Sequence, residues 1–314
     1  MRRLILVRAL STIPLLALVA VFVFTLVHLT PVDPVRQLLG PGSTEEQRAT
    51  LSQQLGYDRS WPEQFGSWLA AAVGGDLGRS LFTQDSVLTS IVDRLPMTLS
   101  LVLGGLLVAV AIGIPAGIVG AVRPGSPADR LVSFLIAIGL AIPSFWLAML
   151  LALVFAVLVP LLPALGYTPI DEDPVAWLRG MVLPCLALGL PASATIARQM
   201  RAALSGALRA PYTQALRARG TPRNRIIYRY ALRNSMVPVL TTIGWELGVM
   251  MAVSFVVERV FAFPGTGTLL IDAVVRNDMP VVQGGVMFFA CAVVLVNLLV
   301  DIGYGVLDPK ARPQ

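Results

Sequence analysis

Side chains that usually carry catalysis are almost absent from this chain of 314 residues. It contains a single histidine, His28, and a single lysine, Lys310. A Ser-His-Asp arrangement and a His-Glu-x-x-His zinc motif therefore cannot be assembled. The sequence Gly-x-x-x-x-Gly-Lys-Ser/Thr, which forms a nucleotide-binding P-loop, does not occur either. We therefore expect no catalytic residue, no metal site and no cofactor bound by this chain, which we do not expect to be an enzyme.

The histidine and the two cysteines are better explained by their positions than by reactivity. His28 stands at the end of a long apolar run, where a lone histidine is more often an interfacial polar residue than a catalyst. Cys185 and Cys291 both lie inside apolar segments. Buried thiols of this kind are most simply small packing residues, so we predict neither a disulfide nor a metal site.

Glu246 is the most informative ionisable residue, because it stands near the middle of an apolar segment. A charged group inside a membrane is costly and usually faces the protein interior or a water-filled space. Two interpretations are equally open: a carboxylate that meets the cationic part of a solute, or one that is hydrogen-bonded between helices. Asp301 stands near the end of the last apolar segment, where a polar contact at the helix end is the favoured interpretation.

A basic segment has the most distinctive residue spacing in the chain. It runs from Arg198 to Arg233 with nine arginines and no acidic residue, between two apolar segments. Gly220 suits the left-handed conformation that ends a helix, Thr221 can cap the next helix, and Pro222 suits its first position. We predict a basic helix-turn-helix that forms a docking surface for another protein. A merely solvated basic loop would explain the arginines but not this order of helix, glycine, threonine and proline.

The composition predicts an integral membrane protein. The chain is 56% hydrophobic and 13% charged, with a mean hydropathy of +0.76, which leaves too few charges to cover the surface of a soluble domain. The run from Ala9 to Leu29 is long enough to cross a bilayer, and no small-x-small cleavage site follows it. We therefore interpret it as an uncleaved first membrane helix. Most of the positive charge behind the net charge of +6 is explained by the placement of basic residues that membrane topology requires, so it does not indicate nucleic-acid binding.

Six membrane spans are predicted along the chain. They lie at about 9–29, 97–121, 131–160, 180–203, 235–257 and 285–305. The third is the difficult one, because Pro143, Pro160 and Pro163 make it either one kinked helix or a tight hairpin.

The distribution of charge decides between these two topologies. With six spans and both termini inside, the outer segments hold eight arginines against fourteen acids, whereas the inner ones hold all other basic residues and only Asp129 and Asp308 as acids. Splitting 131–165 into two spans would put the basic segment on the same side as Asp171-Glu172-Asp173, against the positive-inside rule. We therefore predict an all-α integral membrane protein with six transmembrane helices and both termini in the cytoplasm.

The polar stretch after the first span is predicted to form short helices on the outer surface. Ser43-Thr44-Glu45-Glu46 is a capping-box pattern, and Gly56 is expected to end the polar helix that follows. Aromatic residues then recur at helical spacing from Pro62 to Val73. The predicted layout is therefore a cytoplasmic N-terminus and first span in 1–30, an extracytoplasmic segment in 31–96, and a transmembrane core in 97–314 with a cytoplasmic coupling loop in 204–234.

Seven short motifs occur in a fixed order along the chain. They are Pro31-Val32-Asp33-Pro34, Gly75-Asp76-Leu77-Gly78-Arg79-Ser80, Ile142-Pro143-Ser144-Phe145-Trp146, Ala231-Leu232-Arg233-Asn234-Ser235, Val257-Glu258-Arg259-Val260-Phe261 followed by Phe263-Pro264-Gly265-Thr266-Gly267, Asn297-Leu298-Leu299-Val300-Asp301, and Leu307-Asp308-Pro309. With these motifs the chain resembles the membrane-spanning permease subunits of ABC importers for peptides and nickel, the group of the dipeptide and oligopeptide permease B subunits. The resemblance covers nearly the whole chain and implies a type I importer permease fold. Val32 replaces the glycine that the family usually has.

The resemblance gives the basic segment a role as the family's EAA motif, a coupling helix that sits in a groove of an ATPase subunit. Anchored on Gly220, the three leading positions fall on Gln214, Ala215 and Leu216, so the glutamate and second alanine of the general pattern are absent. Arg233 stands where the general pattern often has proline. The implied coupling residues are Tyr212, Gln214, Ala215, Leu216, Arg217, Arg219 and Gly220.

Further site residues and partners follow from the same resemblance. Candidate translocation-pathway residues are Glu246, Ser144, Phe145 and Trp146. Candidate residues for docking a binding protein are Asp76, Arg79, Phe263, Pro264 and Gly265. The implied partners are a second homologous permease subunit in a heterodimer, one or two P-loop ATPase subunits that hydrolyse ATP, and an extracytoplasmic substrate-binding protein. The implied location is the bacterial cytoplasmic membrane.

The resulting functional prediction is one half of an ATP-driven pathway that imports di- and oligopeptides. Nickel chelates, glutathione or another small solute are the alternative substrates for the same machinery. A secondary transporter driven by an ion gradient is an alternative of another class, which Glu246 and Pro143 support slightly and the lack of an internal repeat opposes. A membrane scaffold without a transport pathway is the third possibility.

Overall fold

The computed structural model describes residues 2–29, 34–40, 42–163 and 165–307, and the backbone in these ranges is predominantly helical. Within them the only β-type pairing is an isolated antiparallel bridge between Arg79 and Ser86. The predicted all-α fold is confirmed. Pro31, Val32 and Asp33 of the first motif and Asp308-Pro309 of the last lie outside the described residues, as do Lys310 and Arg312.

Thirteen α-helices are assigned in the described part of the chain. They are α1 Arg2–Leu29, α2 Pro34–Leu39, α3 Glu45–Leu55, α4 Trp61–Val73, α5 Val87–Val122, α6 Pro127–Ala141, α7 Ser144–Ala152, α8 Pro174–Arg209, α9 Pro211–Ala218, α10 Arg223–Arg225, α11 Leu232–Val260, α12 Thr266–Arg276 and α13 Met279–Leu307. A π-helical turn, Leu153–Leu158, continues α7, and a second one, Ile226–Ala231, joins α10 to α11.

Five helical stretches in the described residues are long and apolar enough to cross a membrane, and each of them overlaps one of the six predicted spans. The third predicted span, 131–160, is instead a bent pair in which Pro127–Ala141 and Ser144–Leu158 meet at 100°. With that pair counted as one span, the described chain has the predicted six. The expected kink or hairpin is thus a sharply broken helix.

The break in the third span has a local cause. Ile142 and Pro143 both have extended backbone conformations, with ψ angles of 121° and 138°. Proline disfavours helical geometry in the residue before it and has no N–H to donate to the preceding turn. The helix therefore stops at Ala141 and restarts at Ser144.

The chain divides into two compact units. The first, which we call the core unit, is Met97–Pro264 with short pieces from both ends of the chain, and the second unit is Ile5–Pro96 with Gly265–Leu295. The long helices α1, α5 and α13 each contribute residues to both units. The predicted three-part layout along the chain describes membrane topology and stays a prediction.

Helix α8 is the centre of the core unit, where it packs against α6, α7 and α11. Its approach to α5 is especially close, because glycines face it. A Cβ atom added at Gly113 would lie 2.7 Å from the carbonyl oxygen of Ser193, and one added at Gly117 would lie 2.6 Å from that of Ala197. Gly113 and Gly117 form a G-x-x-x-G pair, which lets two membrane helices approach to backbone contact.

The short helices of the second unit match the predicted ones closely. The capping box of α3 lies one residue later than predicted, since Thr44 pairs with Gln47: Gln47 N donates to Thr44 Oγ1 at 3.3 Å, and Thr44 N donates to Gln47 Oε1 at 3.0 Å. The box needs its two partners three residues apart, which Ser43 and Glu46 would also satisfy, but α3 starts at Glu45. Gly56 ends α3 with a φ of +74°, as predicted.

Candidate coupling surface and pathway residues

The basic segment forms the predicted helix with a glycine stop. Helix α9 ends at Ala218, and Gly220 takes a φ of +73°, a left-handed conformation that glycine adopts readily. Gly220 N donates to Arg217 O at 2.9 Å, and Thr221 N donates to Leu216 O at 3.1 Å, which satisfies carbonyls at the helix end.

The start predicted for the next helix, at Pro222, is one residue too early. Pro222 has a ψ of 142° and is the N-cap, so the helix begins at Arg223 and Thr221 provides no side-chain cap. The carbonyl of Pro222 accepts the first helical hydrogen bond, from Ile226 N at 3.1 Å. An extended proline therefore takes the place that was predicted for the threonine. From Arg223 the chain is continuously helical to Val260.

Helix α9 has one buried face and one exposed face. Thr213 is fully buried, and its Oγ1 donates to Ala207 O, near the end of α8, at 2.7 Å. The predicted coupling residues lie mostly on the exposed side. Tyr212, Gln214, Ala215, Arg217, Arg219 and Gly220 are exposed, and Leu216 is half-buried. Thr213, which the sequence did not single out, is thus the residue that fixes the helix to the core unit.

A basic cavity of about 330 Å³ lies beside α9. Three arginines, Arg209, Arg217 and Arg223, contribute to its lining, and no acidic residue lies in it. Arg223 Nη2 donates to Val122 O, the last residue of α5, at 2.8 Å. A cation at this position satisfies a carbonyl at the C-terminus of α5 and is favoured by the helix dipole. The surface around α9 is therefore complementary to an acidic partner.

Asp129 joins two other helices at the same end of the core unit. It is 5% exposed, and its Oδ1 lies 2.8 Å from Arg201 Nη2 on α8. Its Oδ2 accepts a hydrogen bond from Gly125 N at 2.8 Å, which shapes the turn between α5 and α6. In the sequence, Asp129 stood out only as one of two acidic residues in the segments predicted to be cytoplasmic, which are otherwise basic. The ion pair explains the exception, because a buried carboxylate needs a cationic or hydrogen-bonding partner.

We expect Asp129→Ala to lower the stability of the purified protein by about 1–3 kcal/mol, because Arg201 and Gly125 N would lose their partner. The measurement is the apparent Tm in mild detergent. Arg130→Ala, an exposed residue beside it on α6, is the control and should leave Tm unchanged. Equal Tm values for Asp129→Ala, Arg130→Ala and wild type would show that the ion pair contributes nothing to stability.

Glu246 lies on α11 at its contact with α8. It is 8% exposed, accepts a hydrogen bond from the Thr195 side chain and lies near the charge of Arg198. Both of those residues belong to α8. The carboxylate thus has polar partners on the neighbouring helix, as the second interpretation of its sequence position requires, and its role in a pathway stays a prediction.

The other candidate pathway residues start helix α7, which packs against α8 and α11. Phe145 and Trp146 are 47% and 46% exposed, and Ser144 is half-buried. Among the described residues no hydrogen bond joins Ser144 to Glu246. The structure therefore places these residues on adjacent helices without direct contact. Nor do any three His, Cys, Asp or Glu side chains of the described chain come close enough to hold a metal ion.

The candidate docking residues of the second unit lie in a tight turn before α5. Asp76 Oδ1 accepts from Gly78 N at 2.9 Å, and Arg79 Nη1 donates to Gln84 O at 3.3 Å. Both side chains are exposed. The turn is anchored by buried Asp278, whose carboxylate accepts hydrogen bonds from the Ser80 hydroxyl and from Leu81 N. Asp278 is a structural residue that sequence reasoning missed.

The remaining docking candidates differ in exposure. Phe263 is 2% exposed, and its ring contacts that of Tyr167 edge-on, with 5.6 Å between ring centres. Gly265 is also buried, whereas Pro264 is exposed. A direct contact with a binding protein is therefore available to Asp76, Arg79 and Pro264, and the docking role of all five stays a prediction.

A buried carboxylate outside these sites ties two helices of the core unit together. Thr98 Oγ1, on α5, donates to Glu258 Oε1, on α11, at 2.7 Å, and both residues are at most 1% exposed. In the sequence Glu258 appeared only as part of a motif. Because no local pattern points to Thr98, the pair could not have been found without the tertiary structure.

Comparison with known proteins gives a consistent match over the whole chain. A family described as the inner membrane component of binding-protein-dependent transport systems matches residues 113–313, and the N-terminal family of such membrane components matches residues 1–102. A putative peptide transport system permease protein of Brucella abortus (strain 2308) is 36% identical over 99% of both chains. The glutathione transport system permease protein GsiC of Escherichia coli (strain CFT073) is 37% identical over 97% of both chains.

The fold also has a solved counterpart. A structure of the MetNI methionine ABC transporter in inward-facing conformations superposes with a TM-score of 0.57 and 20% identity, over 69% of this chain and 96% of that chain. At this identity the likeness concerns the fold.

Proposed function

Since the chain belongs to the family of binding-protein-dependent transport system inner membrane components, as an ABC importer permease of the peptide and nickel group, we propose that it forms one half of a membrane pathway that imports di- and oligopeptides. A second, homologous permease subunit supplies the other half. One or two P-loop ATPase subunits bind at the basic surface, and an extracytoplasmic binding protein delivers the substrate. The N- and C-termini lie in the cytoplasm of a bacterial cell.

The observation that carries this proposal is that helix α9 exposes a basic face and is rigidly attached to the core unit. Thr213 fixes α9 to α8, Arg223 fixes the following helix to the end of α5, and Asp129 with Arg201 fixes α6 to α8. A displacement of α9 by a bound partner is therefore transmitted to three membrane helices at once. ATP binding in the ATPases shifts the pathway between outward and inward access, because the ATPases bind the two conformations with different affinity.

The peptide substrate is supported by the relatives. Those from Brucella abortus and Sinorhizobium fredii bear names of peptide permeases, and the one from Escherichia coli that of a glutathione permease. Glutathione, a nickel chelate or another small solute is the alternative for the same machinery. A secondary transporter driven by an ion gradient would need neither an ATPase nor the basic docking helix.

The test of the proposed function has two steps. The tagged chain is first purified gently from its own membranes, and its partners are identified by mass spectrometry; we expect a second permease and P-loop ATPases. The recovered complex is then reconstituted into vesicles with its binding protein and radiolabelled di- and tripeptides. Uptake that requires ATP and is blocked by vanadate supports the proposal. Uptake driven by an ion gradient without ATPase subunits would contradict it, and uptake of glutathione alone would change the substrate.

We expect Glu246→Gln to weaken the uptake of peptides with cationic side chains and to leave neutral peptides less affected. Glutamine keeps the size of the side chain and can still hydrogen-bond to Thr195, so only the negative charge is lost. The measurement is initial uptake for a panel of peptides that differ only in charge, with the amount of assembled complex as the control. Unchanged relative uptake across the panel would exclude a substrate-binding role for Glu246.

A further inference from the structure

The basic cavity beside α9 is lined by apolar residues as well as by arginines. The apolar residues come from three helical elements: Val122 of α5, Leu208 of α8, and Ile226 and Ile227 of the second π-helical turn. Ile226 and Ile227 are 1% and 3% exposed, so this part of the lining belongs to the packed interior of the core unit. The cavity therefore combines an apolar wall with three cationic side chains.

The three arginines of the lining have no acidic partner among the described residues. No aspartate or glutamate belongs to the lining, and the guanidinium groups of Arg209 and Arg217 make no hydrogen bond or ion pair with any described residue. Cations that line one cleft repel each other and raise the local concentration of counter-ions. The ligand that this cavity favours is therefore an anion with several acceptor oxygens, such as a phosphate group, to which arginine can donate two hydrogen bonds at once.

Helix α9 has two polar faces, and only one of them lines the cavity. Gln214 and Arg217 are three residues apart, so they are neighbours on the helix surface, and both belong to the lining. Ala215 and Arg219, four residues apart, are neighbours on another face, and neither belongs to the lining. The cavity is therefore distinct from the face with Ala215 and Arg219, which stays available to an ATPase subunit.

The cavity lies at the level where membrane-crossing stretches end. The apolar stretch of α5 ends at Val122, that of α8 ends at Arg209, and the one that includes α11 begins at Arg223. All three residues line the cavity. Lipid headgroups occupy the level just beyond the hydrocarbon core, and basic pockets between membrane helices at this level bind anionic headgroups. A lipid is favoured over a dissolved anion, because the bilayer holds its phosphate at this level and its glycerol portion can contact the apolar wall.

We propose that this cavity binds the phosphate of an anionic phospholipid such as phosphatidylglycerol, with Arg209 and Arg217 as its main ligands. Arg223 contributes less, because one of its nitrogens already donates to Val122 O. An ethanolamine headgroup is disfavoured, because the lining has no carboxylate to pair with its ammonium group. The lipid joins α9 to the end of α8. Only its assignment to the inner leaflet rests on the proposed function, through the orientation of the chain.

The test is native mass spectrometry of the intact transporter complex, released from nanodiscs with equal amounts of phosphatidylglycerol and phosphatidylethanolamine. We expect wild type to retain one more molecule of phosphatidylglycerol than Arg209→Gln or Arg217→Gln retains. Arg225→Gln and Arg229→Gln are matched controls that should bind lipid as wild type does, because both arginines are exposed in the same basic segment and do not line the cavity.

The two cavity variants separate lipid binding from folding and from ATPase docking. Arg209 and Arg217 are both exposed, so their replacement leaves the packed interior of the core unit intact. Arg217 is also a predicted coupling residue, whereas Arg209 is not. Arg209→Gln therefore tests the lipid site even where Arg217→Gln weakens the binding of the ATPase subunits.

Three results would overturn the proposal. Equal lipid retention in wild type and both cavity variants would show that no phospholipid is held there. Displacement of the lipid by millimolar inorganic phosphate would show that the site takes a soluble anion. Phosphatidylglycerol that is bound to the permease subunits alone, but absent from their complex with the ATPases, would show that a partner protein fills the cavity. Because none of these readouts involves uptake, the lipid site and the peptide-import proposal can fail independently of each other.

Discussion

Replacement of Gly117 by leucine is expected to remove most of the folded protein from the membrane. A Cβ atom at this position would lie 2.6 Å from both Ala197 O and Met200 Cβ on α8, which no real contact allows. The nearest atoms include backbone, so the clash cannot be relieved by rotating a side chain, and α5 must move away from α8. Overpacking of this kind costs about 1–3 kcal/mol for added methylenes, and more where the backbone has to shift.

The measurement is the yield of monodisperse protein in fluorescence-detected size-exclusion chromatography, together with the apparent Tm. Gly117→Ala, which adds one carbon atom, should give an intermediate loss. Gly206→Leu and Gly206→Ala are matched controls on α8, since a Cβ there meets nothing within 4 Å. Alanine at that site is expected to be neutral or stabilising by about 1 kcal/mol through helix propensity. Normal yield and Tm for Gly117→Leu would contradict the close approach of α5 and α8.

The second large effect is expected at the coupling helix, where Gly220→Pro and Ala215→Asp should each reduce uptake to background. Proline cannot adopt the φ of +73° that Gly220 has, and it lacks the N–H that donates to Arg217 O. The end of α9 would therefore be rebuilt. Ala215 is exposed on α9, so an aspartate there puts a negative charge in the middle of the basic surface that the ATPase is proposed to contact.

Docking and folding can be separated in this experiment. We expect both variants to be inserted and to keep the second permease, while the ATPase subunits no longer copurify. Ala128→Asp is the control, because it places the same exposed charge on another helix, in the first turn of α6, where an acid suits the helix N-terminus. If the ATPases copurify fully with Ala215→Asp and Gly220→Pro, the basic segment is not the docking surface.

The sequence was sufficient for those features that depend on local physics. A span needs about 20 apolar residues, and a helix in lipid satisfies its own backbone hydrogen bonds, so hydropathy locates the membrane helices. The stop at Gly220 and the break before Pro143 follow from the backbone angles that glycine and proline allow. Local rules placed the caps of α3 and α10 one residue too early, because Thr44 and not Ser43 caps α3, and Pro222 and not Thr221 precedes α10.

Only the tertiary structure decided which residues meet. The partners of Asp129, Glu258 and Glu246 lie on other helices, 72, 160 and 51 residues away along the chain. No periodicity in one helix shows which face of a distant helix it will contact. The Gly113 and Gly117 pair could have been noticed as a small-residue motif, but its partner could not. Packing between helices is set by long-range shape, which hydropathy and local propensity do not contain.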